Sequence, residues 1–339
     1  MPNILKNTSL KPFNTFGLEA SAKYFTEVNS VTELIEIINN DVFKQNPSMI
    51  LGGGSNILLT KNFDGLVIKN NIIGIEETFN TEEEVILKVG SGESWHSLVL
   101  YAVKNGLGGI ENLSLIPGTV GAAPMQNIGA YGVEIKDVFV GLEALNLKSK
   151  KLENFDHPSC EFGYRESVFK QAEKGKYFIS HVSFRLQKKP RLKLDYGAIQ
   201  DTLKEQNIEQ PTIKDVSDAV IKIRQSKLPD PAKIGNAGSF FKNPVILLTQ
   251  FHELKRAYPE MPSYTVDENQ VKVPAGWLIE QAGWKGKTFG QIGVHKNQAL
   301  VLVNYGGGNG ADIKVLSERI QRSVSEKFGI NLHAEVNII

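Results

Sequence analysis

Hydrophobic positions recur along this chain with two different periods, and the periods predict a mixture of helices and strands. Apolar residues spaced as on one face of a helix predict α-helices over residues 30–39, 95–105 and 312–328. Ser30 and Glu33 have the spacing of a capping box at the start of the first helix. Gly106 and Gly329 follow the other two helices, where a glycine commonly ends the last turn.

Shorter apolar runs predict strands between these helices. The predicted strands cover residues 49–51, 57–59, 66–68, 85–89, 138–147, 177–186 and 332–338. In the last of them Leu332, Ala334, Val336 and Ile338 are expected to face the core, while Glu335 points away from it.

The length of the chain, 339 residues, is too great for one ordinary core and predicts several domains. We expect residues 1–70 and 71–223 to form two α/β subdomains and residues 224–330 to form a third α/β domain. A shift to proline and glycine after residue 224 marks the last boundary. Residues 331–339 are expected to form a C-terminal strand.

Composition narrows the class of function. Lys and Arg number 38 against 37 for Asp and Glu, so we expect no nucleic-acid or membrane partner. The single cysteine, Cys160, excludes an internal disulfide, and the six histidines show no metal-ligand spacing, so no metal is expected. Without a signal sequence or a long apolar stretch, the chain is predicted to be cytoplasmic. We also expect a monomer whose partners are small molecules.

One stretch, residues 113–132, has the composition of an anion-binding loop, and we call it the anchor loop. Its glycines allow close backbone approach, and it contains no Lys or Arg, so its backbone amides could wrap a pyrophosphate. A lone Gly-rich loop is also typical of a plain connection. A second Gly-rich loop, Gly52–Asn56, lies between two predicted strands. Two such anion-binding loops in one chain favour a dinucleotide as the ligand. Neither loop has the P-loop or Rossmann pattern.

Several motifs, in this order along the chain, resemble those of the UDP-N-acetylenolpyruvoylglucosamine reductases. They are Asn14-Thr15-Phe16, Gly52-Gly53-Gly54-Ser55-Asn56, the Pro117–Gly132 segment, Gly163-Tyr164-Arg165-Glu166-Ser167, Ser226-Lys227-Leu228-Pro229, Gly235–Asn243 and Glu335. Leu194-Asp195-Tyr196-Gly197 and the segment 295–300 are similar to the type I branch, whose Tyr-bearing loop covers the substrate. Ala334 departs from the pattern, where proline is expected.

The resemblance implies an α+β protein with a vanillyl-alcohol-oxidase-type FAD-binding fold, in which two FAD-binding subdomains precede a third α/β substrate-binding domain. It implies non-covalent FAD, NADPH as co-substrate, and reduction of UDP-N-acetylglucosamine enolpyruvate to UDP-N-acetylmuramate. The cofactor-binding residues are then Gly52, Gly53, Gly54, Ser55, Asn56, Pro117, Gly118, Thr119, Gly121, Ala122, Ala123, Asn127, Gly129 and Ala130.

Carried over residue by residue, the resemblance makes Ser239 the proton donor. Arg165 and Glu335 lie at the substrate carboxylate and the developing enolate. The residues assigned to substrate are Tyr164, Tyr196, Lys227, Asn243 and Gln298, with Lys227 and Tyr196 near the UDP phosphates.

Five of these residues also have an ordinary structural interpretation. Ser239 could be a turn residue, Arg165 a surface ion pair with Glu166, and Glu335 a solvated carboxylate. Asn243 could serve a turn, and Tyr196 could be a surface aromatic.

Two other functions stay open at this point. Another flavoenzyme of the same fold would oxidise a hydroxylated carbon and would need a base near the flavin rather than an acid. A nucleotide-sugar sensor would keep the pockets without the chemistry.

Overall fold

Helices and strands are interspersed along residues 2–339, the part of the chain that the computed structural model describes. The α-helices are α1 Val31–Asn39, α2 Asp41–Gln45, α3 Trp95–Lys104, α4 Gly197–Glu205, α5 Ile213–Lys227, α6 Leu248–Ala257, α7 Ala275–Gln281 and α8 Gly310–Phe328. The strands are β1 Leu5–Ser9, β2 Ser21–Val28, β3 Ser48–Leu51, β4 Ile57–Leu58, β5 Phe63–Asn70, β6 Ile75–Asn80, β7 Glu84–Gly90, β8 Gly129–Ala130, β9 Val133–Glu134, β10 Phe139–Asn146, β11 Leu152–Asp156, β12 Tyr177–Gln187, β13 Gly235–Ser239, β14 Val245–Leu247, β15 Tyr264–Thr265, β16 Gln270–Lys272, β17 Thr288–Phe289, β18 Ile292–Val294, β19 Val301–Asn304 and β20 Asn337–Ile338.

The three predicted helices are confirmed, with small differences at their ends. At α1 the Ser30 hydroxyl accepts the N–H of Glu33 at 3.1 Å, as the capping box requires. The Glu33 carboxylate, however, accepts the N–H of Asn29 at 2.7 Å and not that of Ser30. Gly329 ends α8 in the left-handed conformation, with φ +62°.

The chain folds as two units. The first comprises the N-terminal residues up to Thr8 together with residues 22–53 and 64–226, and the second comprises residues 9–21, 54–63 and 227–339. The expected boundaries at residues 70, 223 and 330 stay a prediction.

The first unit contains two main sheets with the orders β1–β2–β5–β3 and β11–β10–β12–β7–β6. Strands β3 and β5 run parallel, and α1 buries Leu34, Ile37 and Ile38 in the core of their sheet. The second sheet is antiparallel, and α3 packs on its core through Trp95. The ring of Trp95 meets that of Phe184 edge to face at 5.6 Å.

The second unit has an antiparallel sheet with the order β13–β19–β18–β17 and a smaller sheet with the order β14–β16–β15. Its core includes apolar residues of α7 and α8. No helix within residues 2–339 is long and apolar enough to cross a bilayer.

The C-terminal strand was predicted too long. Only Asn337–Ile338 forms a strand, which pairs in parallel with β4. Leu332 and Val336 are buried as expected, whereas Ala334 is half-buried and Ile338 is 41% exposed. The core prediction for Ile338 is therefore wrong, because the partner strand β4 has only two residues and the alternation continues past the end of the core.

Candidate active site

The anchor loop is attached to the connection between β7 and α3. The N–H of Gly121 donates to Ser91 O at 2.8 Å, and the N–H of Val120 donates to Glu93 O at 2.9 Å. A Cβ on Gly121 would lie 2.5 Å from the Cβ of Ser91. A glycine is therefore required at 121 for this close approach.

The second Gly-rich loop meets the anchor loop within the first unit. A Cβ on Gly52 would lie 2.5 Å from Thr119 Oγ1, and one on Gly53 would lie 2.9 Å from the Cα of Gly118. Among residues 2–339, the backbone N–H groups of Gly118 and Thr119 find no acceptor. Bare glycine backbone and unused amides fit the pyrophosphate of FAD, an anion that needs donors and close approach.

The rest of that loop, from Gly54, belongs to the second unit. Gly54 has φ +62°, and a Cβ there would overlap the carbonyl oxygen of Phe13, so only glycine fits. Asn56 Nδ2 donates to Glu335 O at 3.2 Å, and Asn56 O accepts the N–H of Asn337 at 3.0 Å. This loop therefore fixes the backbone on which Glu335 sits.

Arg165 lies against the far end of the anchor loop. Its Nη2 donates to Gly129 O at 2.6 Å, and its guanidinium lies 5.4 Å from the ring centroid of Tyr164. Asn127 is fully buried, and its Nδ2 donates to Glu134 Oε2 and to Gly163 O, both at 3.0 Å. The anchor loop and the Tyr164-Arg165 segment are thus held together, as sequence order alone could not show.

Two residues without a role in the sequence prediction join this group. Arg224 lies beside the side chain of Tyr131, and the ring of Tyr131 meets that of Tyr196 edge to face at 5.2 Å. Burial raises the pKa of Tyr131, while Arg224 opposes the rise. Two features of the sequence could have indicated these residues. Tyr131 lies inside the anchor loop, and Arg224 lies one turn before Lys227.

Ser239 and Glu335 are neighbours in the second unit. Residues Phe241 and Ala334 form an antiparallel bridge, and the N–H of Glu335 donates to Phe240 O at 2.8 Å. Ser239 is exposed and follows Gly238, whose φ is +69° and whose N–H donates to Asn236 Oδ1 at 2.9 Å. The glycine turn therefore sets the direction from which Ser239 is presented.

Asn243 and Gln298 meet at the start of α7. Asn243 Oδ1 accepts the N–H of Ala275 at 2.9 Å, and a Cβ on Gly276 would lie 3.0 Å from Gln298 Oε1. Lys227, the last residue of α5, is exposed.

Cys160 is fully buried, and burial raises the pKa of its thiol to about 12. Such a thiol is a poor nucleophile at neutral pH. No group of three or more His, Cys, Asp or Glu side chains within residues 2–339 is placed to hold a metal ion.

Two family models match this chain, one in its N-terminal half and one in its C-terminal third. Residues 22–152 match the family model of an FAD binding domain, and residues 230–339 match that of the UDP-N-acetylenolpyruvoylglucosamine reductase C-terminal domain. The reductase of that name from Flavobacterium johnsoniae is 52% identical over 337 residues, 99% of each chain. The one from Pseudomonas aeruginosa is 46% identical over 333 residues, 98% of each chain.

A solved structure shares the fold. The UDP-N-acetylenolpyruvylglucosamine reductase of Thermus caldophilus superposes with a TM-score of 0.67 at 23% identity, covering 100% of this chain and 98% of that one. The α+β, vanillyl-alcohol-oxidase-type fold predicted from the sequence is confirmed.

Proposed function

The chain belongs to the UDP-N-acetylenolpyruvoylglucosamine reductase family, and from that premise we propose how its residues reduce UDP-N-acetylglucosamine enolpyruvate to UDP-N-acetylmuramate. When bound, FAD supplies the redox chemistry, carrying a hydride from NADPH to the vinyl carbon C3. The two electrons that arrive at C3 push charge through C2 onto the substrate carboxylate. The protein must therefore stabilise that charge and deliver one proton to C2.

Backbone amides of the two Gly-rich loops hold the FAD pyrophosphate. The contact between Gly53 and Gly118 supports this, because two backbones that approach so closely leave no side chain between their amides and an anion. The residues proposed to bind FAD are Gly52, Gly53, Gly54, Ser55, Asn56, Pro117, Gly118, Thr119, Gly121, Ala122, Ala123, Asn127, Gly129 and Ala130.

Ser239 donates the proton to C2, and Glu335 and Arg165 act on the substrate carboxylate and the enolate that forms. One observation carries the assignment. The pairing of segments 240–242 and 333–335 brings Glu335 from the end of the chain beside the Ser239 turn. A solvated carboxylate with no role would not need this placement, and the Gly238 turn leaves the serine hydroxyl exposed to a ligand.

The remaining polar residues bind the nucleotide-sugar. Lys227 supplies a point charge to the diphosphate, and Tyr196 covers it. Tyr164, Asn243 and Gln298 contact other parts of the substrate.

We also propose that the protein acts as a cytoplasmic monomer on small molecules only. Two FAD-binding subdomains, 1–70 and 71–223, then precede a substrate-binding domain over 224–330, and the strand 331–339 carries Glu335.

The experiment is NADPH oxidation by the purified yellow protein, followed at 340 nm with and without UDP-N-acetylglucosamine enolpyruvate. We expect oxidation that depends on this substrate and yields UDP-N-acetylmuramate. Rapid oxidation by oxygen without the substrate would instead identify an oxidase of the same fold. Binding of the nucleotide-sugar with no turnover would identify a sensor, and either result would overturn the proposal.

A further inference from the structure

The two residues that open α3 hold the start of the anchor loop from two sides. Trp95 Nε1 donates to Leu113 O, and the N–H of Leu115 donates to His96 Nδ1, both at 3.0 Å. Between these two bonds, the Ser114 hydroxyl donates to Glu111 O at 2.7 Å. Each residue of this short stretch is therefore fixed by its own hydrogen bond.

Leu115 is the strained member of the stretch. Its φ is +58°, in the left-handed region, where a branched side chain is disfavoured and survives only if the surroundings impose it. His96 holds its N–H, and Arg224 Nε donates to its carbonyl oxygen at 3.3 Å. Both backbone polar groups of Leu115 are thus committed, one on each side of the strained residue.

Within residues 2–339, Arg224 has no acidic partner. Its Nε donates to Leu115 O, its other neighbour is the Tyr131 side chain, and no carboxylate lies within ion-pair distance. Burial and the nearby charge of Arg165 lower the pKa of Arg224, while Tyr131 raises it, and an arginine remains positive at neutral pH. A partly buried cation without an internal acid is suited to an anionic ligand.

We propose that His96 is a positioning residue: its neutral imidazole holds Leu115 left-handed, and the Leu115 carbonyl then aims Arg224 at an anionic group of the ligands. The inference rests on the proposed function, which supplies such groups in the enolpyruvyl carboxylate and the phosphates.

The role requires a particular protonation state of His96. Nδ1 must be unprotonated to accept the Leu115 N–H, so the ring proton lies on Nε2. Burial lowers the pKa of His96, and the positive charge of Arg224 lowers it further. Protonation turns Nδ1 into a donor that faces another donor, so the arrangement is intact above the His96 pKa and is lost as pH falls through it.

Two substitutions separate this role from simple packing. His96→Asn places Oδ1 where Nδ1 lies and keeps an acceptor, whereas His96→Leu fills the space without one. At pH 8 we expect kcat/KM for the enolpyruvyl substrate to stay within about threefold of wild type in His96→Asn. In His96→Leu it should fall about tenfold, the scale of one lost hydrogen bond.

The pH dependence of kcat/KM gives a second test, because a purely packing role of His96 would not change it. Wild type should lose kcat/KM as pH falls through the His96 pKa, which burial lowers from its usual range, and His96→Asn should lack this acidic limb. His252→Asn, at an exposed histidine on α6, is the matched control and should keep the limb. Adding Leu115→Gly to His96→Leu should restore part of the activity, because glycine accepts positive φ without help.

Equal damage in His96→Asn and His96→Leu, or an acidic limb that persists in His96→Asn, would overturn the inference. ¹⁵N NMR of the histidine rings in the holoenzyme gives a test without turnover. The spectrum at pH 7 should show His96 protonated on Nε2 alone, and a proton on Nδ1 would refute the role. Failure of the proposed function would look different, since wild type itself would then not oxidise NADPH in response to the substrate.

Discussion

Some of the proposed functional side chains form hydrogen bonds within the protein, and others are exposed. Asn127, Arg165 and Asn243 make hydrogen bonds within the chain, so their substitution would disturb the structure as well as a ligand. Ser239 and Lys227 are exposed. Changes at these two positions therefore report on ligands more cleanly than changes at the first three.

Lys227→Ala should raise KM for the enolpyruvyl substrate about tenfold and leave kcat nearly unchanged. The reason is that a diphosphate without its matching charge is bound more weakly in the ground state and the transition state alike. Tyr196→Phe, which keeps the ring that meets Tyr131, should raise the same KM less.

Steady-state kinetics with varied substrate at saturating NADPH measures both effects. Lys104→Ala is the matched control, because Lys104 is likewise exposed at the last position of a helix, α3. If KM is unchanged in both Lys227→Ala and Tyr196→Phe, these residues do not contact the UDP part.

Among the secondary-structure elements, the helices that local sequence patterns indicate were predicted best. Helices α1, α3 and α8 follow from apolar periodicity and caps, because both signals lie within a few neighbouring residues. Strand ends depend on partners from elsewhere in the chain. Because β4 has only two residues, only Asn337–Ile338 of the predicted strand 332–338 pairs with it. The two Gly-rich loops could be recognised by composition, whereas their mutual contact could not.

That contact gives a prediction at Gly53. A methyl group in Gly53→Ala would lie 2.9 Å from the Gly118 Cα, so one of the two loops must move. Overpacking of this kind costs about 1–3 kcal/mol, and we expect it to weaken FAD binding.

The flavin-to-protein ratio of the folded fraction, from the visible and ultraviolet absorbance, measures the effect. Gly197→Ala is the control, because a Cβ there meets nothing within 4 Å and its backbone is not left-handed. A full flavin complement in Gly53→Ala would remove this loop from the cofactor site.

For the whole molecule, the sequence predicted the fold class, the cofactor and the reaction through the ordered set of motifs. It could not predict that His96, Leu115 and Arg224 form one hydrogen-bonded chain, because three separate segments supply them. The contacts of Tyr131 could not be predicted for the same reason, because Arg224 and Tyr196 come from later in the chain.

In the proposed mechanism the catalytic cycle separates into two half-reactions that use different side chains. Hydride transfer from NADPH needs no proton donor at C2 of the enolpyruvyl group, so it does not call on Ser239. Reduction of the enolpyruvyl group does need that donor. As the proposed acid, Ser239 therefore acts only in the second half-reaction.

Stopped-flow absorbance of the flavin in Ser239→Ala follows both half-reactions separately, with Ser149→Ala, at an exposed turn, as the control. We expect near wild-type reduction by NADPH, and reoxidation by UDP-N-acetylglucosamine enolpyruvate slowed about 10²- to 10⁴-fold. Equal slowing of both half-reactions, or unchanged reoxidation, would show that Ser239 is only a turn residue.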